Sequence, residues 1–87
     1  MIKGKTKSGF KYEISDENIN DYELFEVMAE IDDNPLLLPK LLKMLLGEEQ
    51  KNALIEHLRG ENGKVSMEAI QGAVTEIFAN TKPVKNS

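Results

Sequence analysis

The chain has 87 residues, a net charge of −4, 40% hydrophobic and 30% charged residues, and no cysteine. That size allows one modest core, the periodic apolar blocks exclude a disordered protein, and the absence of cysteine removes disulfides and thiolate metal sites while leaving the redox compartment open. Charge is segregated: Lys3, Lys5, Lys7 and Lys11 face only Glu13 in residues 1–14, whereas residues 15–34 hold eight acidic residues and no basic one. An acidic chain repels phosphate, which disfavours nucleic acid as a partner.

Residues 1–14 read as a β-hairpin. Phe10, Tyr12 and Ile14 alternate with Lys11 and Glu13, the period of a half-buried strand, and Ile2, Gly4 and Thr6 share a face opposite the lysines. Thr6-Lys7-Ser8-Gly9 supplies the turn, with Gly9 suited to positive φ. Ser15-Asp16-Glu17-Asn18 ends the strand. Asn20 or Asp21 then caps a first long helix, in which Leu24, Val27, Met28 and Ile31 form one stripe, widened by Tyr22 and Phe25. Asp32-Asp33-Asn34-Pro35 ends it, because carboxylates oppose the dipole at a helix C-terminus and the residue before proline resists the α conformation.

The block 34–47 carries the most apolar surface. From Leu36 to Leu46 only Pro39, Lys40 and Lys43 interrupt a Leu/Met series, so this helix demands burial around most of its circumference. Pro39 is tolerated only in a first turn, which puts the start near residues 37–39, and Gly47 marks the end. At about 11 residues, or roughly 17 Å, the block is too short to span a membrane. The start of the chain lacks the apolar region of a secretory signal, which points to a cytoplasmic protein.

A third helix over 48–59 opens with Glu48 and Glu49 and closes with Arg59 and Gly60; its stripe is Ala53, Leu54 and Leu58, with Ile55 at the edge. Residues 61–64 make a turn with a left-handed glycine. Ser66 caps a fourth helix whose stripe is Met67, Ile70, Ala73, Val74, Ile77 and Phe78, with Gly72 opposite. The pattern predicts an α+β, mostly α domain: an N-terminal hairpin (1–14) packed on a bundle of about four short helices (20–80), one domain over 1–80, and a disordered tail over 81–87.

No constellation for catalysis emerges. His57 is the only histidine, and one imidazole makes no metal site. The adjacent pairs Glu48/Glu49 and Asp32/Asp33 diverge rather than converge, and no calcium-loop spacing, phosphate-cradling glycine loop or Ser/His/Asp set is present. These residues predict a protein that is not an enzyme, with no cofactor and no metal. The helices on either side of Gly47 imitate a helix-turn-helix, and Gln50, Lys51, Asn52 and Arg59 imitate base-reading residues. Glu48 and Glu49, however, stand where phosphates would lie. A small helix-turn-helix-like DNA-binding regulator is the alternative reading. Apolar excess alone nominates Leu37, Leu41, Met44 and Leu45 as a partner surface.

The order of features carries a resemblance. A Lys-rich strand pair precedes an acidic helix and Asp33-Asn34-Pro35-Leu36-Leu37-Leu38-Pro39; then follow Leu45-Leu46-Gly47-Glu48-Glu49-Gln50, Leu58-Arg59-Gly60-Glu61-Asn62-Gly63, and a last amphipathic helix. This arrangement is similar to the tail assembly chaperones of long-tailed bacteriophages and prophages of Gram-positive bacteria, with residues 34–50 its most telling part. The resemblance implies a non-catalytic factor of the host cytoplasm, absent from the mature virion. Such a factor binds the tape-measure protein, keeps its apolar helical segments soluble, and helps recruit major tail protein. Many such chaperones exist in a short and a frameshifted long form, and a chain of this length matches the short one. The resemblance names no contact residues. A homo-oligomer is compatible with the apolar excess, and neither nucleic acid nor membrane is expected as a partner.

Overall fold

In the computed structural model, residues 1–80 are described; the tail expected over 81–87 lies outside them. Strands β1 (Ile2–Lys5) and β2 (Lys11–Ile14) pair antiparallel, with Ile2 opposite Ile14 and Lys5 opposite Lys11. The turn is built as its residues dictate. Gly9 takes φ 99° and donates its N–H to the Thr6 carbonyl at 2.9 Å, and the buried Thr6 hydroxyl accepts from the Phe10 N–H at 3.1 Å. Phe10, Tyr12 and Ile14 enter the core, and the lysines stay outside.

Four helices follow: α1 (Asp16–Ile19), α2 (Tyr22–Glu30), α3 (Leu38–His57) and α4 (Met67–Asn80), with a 3-10 turn at Pro35–Leu37 leading into α3. The α+β, mostly α architecture with a hairpin on a helical bundle is the one predicted. Helix α1 is an addition. Its single turn is capped by the Ser15 hydroxyl, which accepts from the Asn18 N–H at 3.0 Å, and it buries Ile19. Asp21 caps α2 through the Glu23 N–H at 2.9 Å, and Ser66 caps α4 through the Ala69 N–H at 3.2 Å.

Helix α3 is two arms joined at Gly47, whose φ of 86° and ψ of 164° are not helical. The 38–46 arm is the spine of the core and buries Leu38, Leu41, Leu42, Leu45 and Leu46. The 48–57 arm adds the fully buried Leu54 and holds the hairpin by two side chains. The Gln50 amide accepts from the Glu13 N–H at 2.7 Å and donates to the Glu13 carbonyl at 2.6 Å. His57 meets the Ser8 carbonyl at 3.1 Å through Nε2, and its ring lies 5.7 Å from that of Phe10. Val74 and Ile77 of α4 close the core.

Some side chains expected inside are outside. Tyr22 and Phe25 do not widen the α2 stripe: they are 68% and 54% exposed, with ring centroids 6.4 Å apart. Leu24 and Val27 already occupy the face of α2 that meets α3. Ala53 is exposed and Leu58 only half-buried. Met67 is 57% exposed because it stands in the first turn of α4, ahead of the buried stripe that begins at Ile70. Leu36, in the 3-10 turn, is 85% exposed, so the leucine block is not buried along its whole length.

Candidate interaction groove

The leucine block ends in a groove of about 330 Å³. Pro35, Leu36 and Pro39 come from the turn and the start of α3, and Val65 and Met67 from the chain entering α4; these stand at its accessible margin. Leu38, Leu42 and Ile70, all buried, together with half-buried Ile55, form its base. Local chemistry explains each placement. Pro39 can occupy only the first turn of α3, so the chain before it leaves the helix cylinder and Leu36 projects into solvent. On the opposite side, Arg59 and Val65 form an isolated bridge, and the Gly60 N–H donates to the Lys64 carbonyl at 2.8 Å, which sets Val65 and Met67 beside the α3 arms.

Lys51 is the one charged residue of the lining, and its ammonium lies 3.6 Å from the Glu48 carboxylate. With no carboxylate, histidine or amide in its wall, the groove offers apolar contact and one cation. It suits an aliphatic or aromatic side chain of a partner, in the manner of helix-in-groove recognition.

The four leucine-block residues nominated from sequence divide. Leu41 and Leu45 are 0% exposed, so the folded chain consumes them and they offer no partner surface. Leu37 and Met44 are half-buried against the same core and do not line the groove. The physical reason is that a helix apolar on all sides carries no mark of which side its own chain covers. The sequence pattern places Leu36 and Met67 in buried series, yet both are exposed at the groove. The prolines that flank Leu36 keep it out of the regular helix, as the start near residues 37–39 predicts, but they do not show that it is exposed.

Three of the four residues that imitate a recognition helix are engaged within the chain, and Asn52 is exposed. Gln50 grips Glu13, Lys51 lies in the groove wall, and Arg59 donates to Glu56 at 2.8 Å and to the Gly63 carbonyl at 2.7 Å. That guanidinium bond holds the Glu56 carboxyl below its ordinary pKa and raises that of Arg59. Among the described residues no three His, Cys, Asp or Glu side chains are grouped to hold a metal, and no helix is long and apolar enough to cross a membrane.

Compared with known proteins, the chain matches no family model, no curated protein and no solved structure.

Proposed function

We propose that this protein is a tail assembly chaperone of a long-tailed bacteriophage or prophage, a non-catalytic factor that binds tape-measure protein, and with it major tail protein, during tail morphogenesis. It acts in the host cytoplasm and is left out of the mature virion. The order of residues 33–50 supports the family reading. The observation that carries the binding reading is the apolar groove with Leu36, 85% exposed, at its margin. An exposed leucine beside an open apolar groove has no role in the chain's own core and is the kind of patch that marks a protein contact. Helical apolar segments of a long, poorly soluble client would seat there, with the acidic exterior keeping the complex dispersed.

Co-expression with the tape-measure protein tests this reading. The two are expected to co-elute, and Leu36→Asp is expected to abolish co-elution without unfolding the chain. If the pair never co-elutes and the protein instead shifts duplex DNA with a steep salt dependence, the DNA-binding alternative replaces it.

A further inference from the structure

The two edges of the hairpin are treated differently. The Thr6 N–H donates to the Phe10 carbonyl at 2.9 Å, and the register continues through Gly4–Tyr12 and Ile2–Ile14. Bonded and non-bonded pairs alternate along an antiparallel ladder, so Lys3, Lys5, Lys11 and Glu13 turn their backbone groups away from the partner strand. On β2 the Gln50 amide occupies both groups of Glu13 and leaves only Lys11 open. Beyond β1, the Lys7 N–H is taken by Glu76 Oε2 at 2.7 Å. By the same alternation the N–H and C=O groups of Lys3 and Lys5 point away from β2. β1 therefore presents a short open edge, which narrows towards Lys5 because α4 packs against β1 and its Glu76 reaches the Lys7 N–H.

Charge decides what fits that edge. The exposed side chains of Lys3 and Lys5 share its outer face with Lys11, which lies directly across from Lys5; Glu13, across from Lys3, is the sole carboxylate of the two strands. A second copy pairing antiparallel through β1 would set lysines of one chain directly against those of the other, which is unfavourable. Lysines on an edge are a common guard against such self-pairing. They are complementary to carboxylates at alternate positions of an added strand.

We propose that the edge of β1 receives an extended acidic segment of a partner protein as a third strand. Its alternate carboxylates stand beside Lys3 and Lys5, and the residue between them stands beside Gly4, across which the Tyr12 ring lies. The backbone groups of Lys3 and Lys5 supply the bonds, and their ammonium groups supply the preference for acidic sequence. No residue of β1 lines the apolar groove, so this surface is independent of the tape-measure reading and can fail without it.

The probe is a short, end-blocked peptide alternating glutamate and valine, titrated into the full chain and followed by amide chemical shifts and hydrogen exchange. Saturable shifts are expected at residues 2–6, with slowed exchange at the Lys3 and Lys5 amides and weaker binding as salt rises. Lys3→Glu/Lys5→Glu changes only exposed side chains. It is expected to weaken the glutamate peptide about tenfold and to admit a lysine–valine peptide in its place. The proposal is overturned by an absence of saturable shifts, by shifts centred on the groove, or by equal binding to the reversed variant. Concentration-dependent protection of the Lys3 and Lys5 amides without peptide also overturns it, by making the occupant a second copy.

Discussion

The ring of Tyr12 lies across the backbone of Gly4, its partner in the strand register, so closely that a methyl group at position 4 would overlap the phenol oxygen and stand 2.5 Å from Cζ. Tyr12 is 2% exposed, so its ring is held among core neighbours. The smallest residue and one of the largest thus share a single site of the hairpin. Gly4→Ala is expected to cost about 1–3 kcal/mol by overpacking, measured as a lowered denaturation midpoint. Gly4→Ala/Tyr12→Leu should recover part of that loss relative to Tyr12→Leu alone. Independent, additive effects of the two changes would refute the steric account.

Gly47 leads to a different expectation. Nothing lies within 4 Å of a side chain added there, yet its φ of 86° and ψ of 164° belong to a region reserved for glycine. Gly47→Ala should therefore destabilise by about 1–3 kcal/mol through backbone strain alone. A variant as stable as the parent would mean that the two arms of α3 join in another conformation.

The leucine block allows core and surface to be separated by stability. Leu45→Ala, at a fully buried position, is expected to cost about 2–5 kcal/mol. Leu36→Asp and Met67→Asp should stay within about 0.5 kcal/mol of the parent while losing the client in co-elution. A large loss of stability from Leu36→Asp would show that this leucine serves the fold.

Gln50 replaces a strand neighbour for Glu13, so removing its amide should loosen one end of the hairpin rather than the whole chain. Gln50→Ala is expected to cost about 1 kcal/mol, because the freed groups of Glu13 are open to water. Faster hydrogen exchange at residue 13, with the amides of α4 unchanged, is the measurement that checks it.

The pair Glu56–Arg59 gives a small pH dependence of defined sign. The lowered pKa of Glu56 means that its contribution is present above the ordinary carboxylate range and is lost as pH falls through the lowered value. At neutral pH, Glu56→Gln should lower the melting temperature by no more than about 3 °C, since the pair is exposed. The difference from the parent should vanish in acid; a difference that grows in acid would contradict the assignment.

Much of this fold is legible in the residues. The alternation Phe10-Tyr12-Ile14, the turn glycine Gly9, the caps Asp21 and Ser66, and the breakers Pro39 and Gly47 each act locally, and each appears where it was expected. What sequence conceals is tertiary. Helix α1 is a single turn, too short for any periodicity to announce it. Tyr22 and Phe25 share a helix with Leu24 and Val27, and only the position of α3 decides which pair is covered. Leu41 and Leu45 look as available as Leu36 until neighbours surround them. The groove draws on the 3-10 turn, both arms of α3 and the start of α4, so no single stretch of sequence contains its signature.

The break at Gly47 has a further consequence for the groove. Leu38 and Leu42 come from one arm of α3, Lys51 and Ile55 from the other, and Gln50 and His57 fasten that second arm to the hairpin. The groove is thus a caliper whose jaws meet at a glycine, and its gap is fixed by a strand pair on the far side of the joint. Selection for the size of a bound side chain would act on the grip between α3 and the hairpin as much as on the leucines that touch the guest.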